Sequence, residues 1–406
     1  EAERAQALGQ VVVIKLNGGL GTSMGLAGAK SALSVRDGLT FLDVIARQVL
    51  ALRAQYAAPL PVIFMNSFRT HEETEAILAA YPDLPVRGLP LGFLQSAEPK
   101  LRVDDLSPVD WPANPELEWC PPGHGDVYLS LARTGLLDAL RGMGIRYAFL
   151  SNAANLGATC DPDIAAWLLR EQVPYLAEVC TRTVNDRKGG HLARRRSDGR
   201  IVLRDNAMVV PGEEPFFADE TRHSTFHANN LWVDLDVVAR MLDERAGVLG
   251  LPVIVNRKTV DPTDKSSTKV IQIECAMGTA IEAIDGSRAM HVPRSRFRPV
   301  KTTNELTLVR SDLFRFEADW RIAATSDRPA PLIDLGPDFA FMPDFERRFA
   351  AGVPSLRECT SLRVRGDVTF GADVTCWGDV VVEGPALVPD GAVIGGQAAY
   401  PSGSGG

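Results

Sequence analysis

Several features are missing from this 406-residue chain. No apolar run approaches the roughly 18 residues of a membrane-spanning helix, and no secretory leader is evident. The six cysteines, at 120, 160, 180, 275, 359 and 376, form no C-x-x-C pair. Zinc-knuckle spacing is therefore absent, and free thiols in a reducing cytoplasm are expected. Positive charge is not in surplus: the net charge is −8 and the pI about 5.4. That balance argues against a general binder of nucleic acid or of anionic membranes. The chain opens on Glu1 instead of Met, which leaves room for sequence ahead of it. Its last residues, Pro401-Ser402-Gly403-Ser404-Gly405-Gly406, read as a flexible tail.

Two familiar phosphate loops are also missing from the stretch Val11–Ser31, VVVIKLNGGLGTSMGLAGAKS. A dinucleotide fingerprint starting at Gly19 has Gly21 but meets Met24 where its third glycine belongs. A Walker loop needs glycine directly before its lysine, and Ala29 precedes Lys30. What is present is a short β-forming run, Val11-Val12-Val13-Ile14, then the glycine-dense Asn17-Gly18-Gly19-Leu20-Gly21-Thr22-Ser23, then Lys30. Glycines let backbone N–H groups approach a ligand, and successive amides favour phosphate oxygens. A tight turn followed by a surface lysine is the alternative.

The remainder is ordinary globular sequence, 45% hydrophobic and 23% charged, long enough for two or three domains. A helix with apolar Leu42, Ile45, Val49 and Leu52 follows Thr40, a good N-cap. A second strand, Pro61-Val62-Ile63-Phe64-Met65, ends at Asn66-Ser67 and leads into a helix near Thr70. A third, Tyr147-Ala148-Phe149-Leu150, ends at Ser151-Asn152. This alternation predicts a mostly parallel sheet with helices on both faces, and ligands beyond the C-terminal strand ends.

Between the second and third strands, Leu89–Gly125 is irregular and proline-rich, as binding loops or lids often are. Cys120, a lone thiol, gives little reason for catalysis. His124, flanked by Gly123 and Gly125, has no neighbour to shield it and is expected to face a ligand or water; a plain turn histidine is the alternative. Tyr175–Trp232 reads as short β-segments extending over the core. Arg294, Arg296, Arg298 and Lys301, between prolines, suggest a rigid loop facing anions, with a basic surface loop as the alternative. In the C-terminal part, Leu362, Val368, Val374 and Val380 are six residues apart, as are Val364, Phe370, Cys376, Val382 and Val388. A hexapeptide period marks a parallel β-helix; 361–395 makes roughly two coils, too few to stand alone.

The motifs KLNGGLGTSMG, LTFLD, MNSF, CPPGHGD, KGGHL, NNLW, NRKTVDPTDKSS and VPRSRF-x-PVKTTN, in this order, resemble the UTP–glucose-1-phosphate uridylyltransferases (UDP-glucose pyrophosphorylases) of eukaryotic-like type. The likeness runs from Val11 to about Val393. It implies an α/β fold: a Rossmann-like, GT-A-type nucleotidyltransferase core over 1–325, a C-terminal left-handed parallel β-helix over 326–400, and the tail 401–406. It implies a reaction of UTP with a sugar 1-phosphate, glucose 1-phosphate or an analogue, giving UDP-sugar and pyrophosphate with Mg²⁺. By motif, Lys30 and Lys301 would be catalytic. Leu16, Asn17, Gly18, Gly19, Gln95, Gly123 and Asn152 would hold the nucleotide. His124, Gly190, Asp205, His227 and Asn229 would hold the sugar phosphate. Neither nucleic acid nor membrane is an expected partner; a homo-oligomer through the β-helix and a cytoplasmic location are.

The chain departs from the family pattern at some of these positions. Ala154 stands where the family places the Asp that ligates Mg²⁺, and a methyl group cannot coordinate a hard cation. Asp205 replaces Glu, Met208 replaces Gln, His227-Ala228 replace Asn-Thr, and Cys275 replaces Thr. The expectation is weak turnover with glucose 1-phosphate. The alternative is a homologue that binds nucleotide or UDP-sugar with catalysis weakened or lost; a dehydrogenase is disfavoured by the missing third glycine.

Overall fold

The computed structural model describes residues 1–183, 186, 189–262 and 264–399. Lys188 of the KGGHL motif and the tail 401–406 lie outside the described residues. At its centre is a seven-stranded sheet. We label its strands in chain order: β1 Val11–Asn17, β2 Val62–Asn66, β3 Gly92–Leu94, β4 Tyr147–Asn152, β5 Tyr175–Thr181, β6 Thr225–Asp234 and β7 Arg288–His291. Their spatial order is β7-β5-β6-β4-β1-β2-β3. β1 is buried along its whole length, as its unbroken apolar run requires of a central parallel strand. Successive side chains go to opposite faces. Val11 and Val13 join one buried cluster with Phe64 and Phe149, while Val12 and Ile14 join the other with Met65 and Leu150.

The expected parallel sheet is in fact mixed. β6 pairs antiparallel with both β4 and β5, and every other pairing in the sheet is parallel. Tyr175–Trp232 therefore contributes two core strands; only the hairpin Gly190–Arg194/Ile201–Asp205 stands apart as an extension. The sequence hid this because β5 and β6 are buried strands without alternation. β3 lay concealed in the irregular stretch because three residues are too few to show a period.

The reversal of β6 places part of that strand at the ligand-facing edge. The loops after β1, β2, β3, β4, β5 and β7 all leave from one edge of the sheet, and β6 begins there. Leu231 pairs with Leu150, so the first half of β6, with His227 and Asn229, projects past the end of β4 at that edge.

Around the sheet, the helix Phe41–Tyr56 starts as its N-cap predicts. Thr40 Oγ1 accepts the Asp43 N–H and the Asp43 carboxylate accepts the Thr40 N–H, forming a capping box. In the C-terminal part, Ser355–Arg365, Thr375–Glu383 and Val393–Ala399 stack as parallel strands, with Val368–Phe370 beside Ala386–Val388. Val368 opposes Ala386 and Thr375 opposes Val393, pairs eighteen apart, or three hexapeptides. The nine apolar positions of the hexapeptide register are all buried. They join the same buried cluster as β1 and the helix Phe41–Tyr56, so this part packs on the preceding fold.

Candidate active site

β1 delivers the glycine loop to the sheet edge. The Asn17 side chain does not face outward: its amide donates to Asn66 Oδ1 and Thr74 Oγ1, each at 2.8 Å. It ties the loop base to β2 and to the helix His71–Leu78, leaving backbone groups to meet a ligand. Gly18 lies against Gln95, where a Cβ would come within 2.5 Å of Nε2, whereas Gly19 faces open space. The loop closes through a bridge between Leu20 and Ala29, with the Lys30 N–H donating to Gly19 O at 3.2 Å. Glu73 accepts the Ala29 N–H at 2.7 Å. The half-buried Lys30 is thereby fixed beside the glycines. Its Nζ donates to the carbonyl of Lys301 at 3.2 Å, across 271 residues of chain. Burial lowers the Lys30 pKa; Glu305 opposes the shift and Lys301 adds to it.

Lys301 arrives on the loop after β7. That loop is stitched to the end of β4: the Val300 N–H donates to Ala154 O at 3.0 Å, and Asn155 bridges Pro299. Asn152 is the register partner of Leu16, so Leu16–Gly19, Lys30, Gln95, Asn152 and Lys301 share one edge. The expectation that all four cations of this loop face anions is corrected. Arg294 forms a two-point pair with Asp186 at 2.6 and 2.9 Å. Arg296 is paired inside with the fully buried Glu178 at 2.6 and 2.7 Å. Arg298 lies over the Phe314 ring at 4.3 Å, its pKa pushed down to about 10 by burial and by Arg294. These arginines hold the loop, and the exposed Lys301 is what it presents.

A second group forms next to the first. Gly123, with φ +82°, sits so close to the strand Lys269–Cys275 that a Cβ would lie 2.5 Å from Cys275 O. That seat holds His124, whose Nδ1 accepts the Met277 N–H at 3.0 Å. Burial lowers the His124 pKa, with Asp205 opposing. Because Nδ1 accepts, the ring is neutral with its proton on Nε2, and this N–H is a donor; the ring is partly buried, whereas its glycine neighbours point to exposure. Gly190 pairs with Asp205 across the hairpin. His227 is buried with Nδ1 2.9 Å from Asn229 Oδ1. Its Nε2 has no hydrogen-bond partner among the described residues, and burial pushes its pKa down to about 4. Asp205 and His124 both act electrostatically on His227. Phe226, its neighbour on β6, lies 5.8 Å below Lys301 Nζ, linking the two groups.

The neutral His124 N–H donor, with His227 and Asn229 beside two lysines, suits a phosphorylated ligand with hydroxyls. The family model for UTP–glucose-1-phosphate uridylyltransferase matches residues 1–376. The chain belongs to that family. The Solanum tuberosum enzyme of that name is 41% identical over 401 residues, covering 97% of this chain and 82% of its own length. The Saccharomyces cerevisiae enzyme is 38% identical over 97% of this chain and 79% of its own. Among solved structures, the UDP-glucose phosphorylase of Trypanosoma brucei superposes with a TM-score of 0.91 at 44% identity, covering 98% of this chain and 86% of its own. A point mutant of the Leishmania major UDP-glucose pyrophosphorylase, in complex with UDP-glucose, gives 0.91 at 40% identity, covering 98% and 87%.

As a member of this uridylyltransferase family the chain does not offer a protein-held Mg²⁺ the residues it would need at position 154. Ala154 has no side-chain oxygen, and its carbonyl is taken by the Val300 N–H. Among the described residues, no three His, Cys, Asp or Glu side chains converge as a metal-holding group.

Sequence reading missed two residues that shape the site. Glu178 also accepts from Asn230 Nδ2 and Trp232 Nε1, each at 2.9 Å. Lys15, one strand position before Leu16, is buried, donates to Ser151 Oγ and Ala158 O, and has its pKa lowered by burial to about 7. A charged residue inside an apolar strand run was the only signal for either. Cys120 is buried, its pKa raised to about 11, which agrees with an inert thiol.

Proposed function

We propose that the chain transfers the uridylyl group of UTP to glucose 1-phosphate or a close analogue. A phosphate oxygen of the sugar attacks the α-phosphorus in line; the bond to the bridging oxygen breaks, and UDP-sugar and pyrophosphate form. The observation that carries this reading is the meeting of Lys30 and Lys301 at the mouth of the glycine loop. Such chemistry needs positioning and neutralisation of developing charge more than covalent help. Leu16 to Gly19 hold the nucleotide through backbone groups, Gln95 and Gly123 read the uracil, and Asn152 lies toward the ribose. Lys30 stabilises the leaving pyrophosphate, and Lys301 bridges the sugar phosphate and the α-phosphate. His124 offers its Nε2–H to the sugar phosphate, while Gly190, Asp205, His227 and Asn229 face the hexose.

In fold terms this reading takes 1–325 as a GT-A-type core and 326–400 as a short left-handed β-helix, supported by the eighteen-residue parallel pairing. A cytoplasmic location, and self-association through the β-helix, go with it. No helix is long and apolar enough to cross a membrane among the described residues.

A second reading, a homologue that binds UDP-sugar with weak turnover, is favoured by the methyl group of Ala154. Pyrophosphate release from UTP, screened over sugar 1-phosphates with Mg²⁺ and Mn²⁺, decides between them. Release with glucose 1-phosphate supports the transferase. Calorimetric UTP binding without release under either metal, unrelieved in Ala154→Asp, supports the binder.

A further inference from the structure

The chain carries eight lysines among 43 cationic residues, so arginine does most of its ion pairing. Two of the eight, Lys30 and Lys301, make the site above. Four others, Lys100, Lys258, Lys265 and Lys269, gather at one small sheet made of Val253–Thr259, Lys269–Cys275 and Leu101–Arg102. Lys100 is buried there and capped by Val260 O at 3.0 Å. A cavity of about 300 Å³ opens on this sheet, lined by Val103, Arg257, Lys258, Thr259 and Lys269.

No carboxylate is in that lining. Among the described residues, neither Arg257 nor Lys258 makes an ion pair or a side-chain hydrogen bond, and Lys269 Nζ reaches only the Lys265 carbonyl. Of the acids nearby, Asp104 and Asp105 pair with Arg102, Asp264 accepts the Ser266 hydroxyl, and Asp261 acts electrostatically on Lys100. Thr259 lies directly opposite Lys269, and Arg257 opposite Ile271. Arg257, Thr259 and Lys269 therefore share one face, with the two cations on a diagonal of about 7 Å; the Thr259 hydroxyl donates to the Asp261 carbonyl at 2.8 Å. Two cations at that spacing suit the oxygens of a phosphate group.

We propose that this cavity is a second anion site, separate from the Lys30–Lys301 centre, which takes the phosphates of a small di- or triphosphate. The strand Lys269–Cys275 runs from it, over about 20 Å, to the Cys275 backbone that seats Gly123 and His124. The shared ligand chemistry has two sources, free pyrophosphate and the phosphate tail of a nucleotide.

Calorimetry on the full chain tests this with pyrophosphate as the probe, and with UDP as a second arm. Two pyrophosphates per wild-type chain are expected, and one in Arg257→Ala/Lys269→Ala, whose uridylyl transfer at low pyrophosphate stays unchanged because both side chains are exposed and outside the reaction centre. One is also expected in Lys30→Ala/Lys301→Ala, which separates this site from the proposed reaction centre. If that last variant keeps two, the reading of the centre fails while the cavity stands. A single pyrophosphate in the wild type, or two retained in Arg257→Ala/Lys269→Ala, overturns the second site. Loss of one of two bound UDP molecules in Arg257→Ala/Lys269→Ala assigns the source to a nucleotide; loss of one pyrophosphate with UDP stoichiometry unchanged assigns it to the free anion.

Discussion

Replacing Glu178 by Leu should damage the protein at two levels. Glu178 is wholly buried and its carboxylate accepts four hydrogen bonds: two from Arg296 and one each from Asn230 and Trp232. The Arg296 side chain is itself only 10% exposed. Removing one partner of a buried pair leaves an uncompensated charge, which costs about 3–5 kcal/mol. The stranded Asn230 and Trp232 donors add roughly 1 kcal/mol or more each. The total, about 5–7 kcal/mol, is a large share of the ~5–15 kcal/mol that holds a domain folded. Function falls with it, because Arg296 anchors the loop that ends in Lys301. Its carbonyl also accepts the Asn155 and Asn230 amides. Urea unfolding measures the first effect and kcat for pyrophosphate release the second. The double variant Glu178→Leu/Arg296→Met, with no charge left to bury, should recover most of the stability but not the full kcat. A loss under about 1 kcal/mol for Glu178→Leu would refute the reasoning, since it would mean that Arg296 finds water.

Other consequences are equally direct. Lys30→Ala and Lys301→Ala should each lower kcat by about 100-fold, the usual scale for removing one charge-stabilising donor; near-normal kcat in either would remove that lysine from the reaction centre. Gly123→Ala should raise KM for both substrates and lower thermal stability, because a Cβ there meets the Cys275 backbone and φ is +82°. Unchanged thermal melting would show that the seat yields. The pH dependence of stability follows from His227. Its folded-state pKa of about 4 lies below the free value of 6.5, so the unfolded chain takes up the proton first. The stabilisation is whole above pH 6.5 and is lost as pH falls toward 4. Between about pH 7 and 5 the wild type should lose about 2 kcal/mol more than His227→Asn; equal losses would mean that the buried imidazole titrates normally.

Much of this was legible from local pattern. The run Val11–Ile14, the Thr40 cap and the hexapeptide register at Leu362–Val388 each rest on residues near in sequence, whose periods report burial directly. The glycine loop was legible as a backbone feature, since only glycines allow Gly18 to lie on Gln95 and Gly123 on Cys275. The direction of β6 was not legible. Strand polarity is set by which neighbour completes the hydrogen-bond ladder, and an evenly buried strand carries no mark of it.

The cationic loop shows the same division. Composition placed four positive charges between Arg294 and Lys301, but charge count does not say which are spent internally. Asp186 and Glu178 decide that, from strands and loops more than a hundred residues away. The sequence by itself determined the glycine loop, the family and the methyl group at position 154. Tertiary structure alone decided that Lys30 meets Lys301, that His124 is a neutral donor, and that Arg257, Lys258 and Lys269 line one cavity. The physical reason is that pairing, burial and proton position belong to neighbours in space, and linear order does not record who those neighbours are.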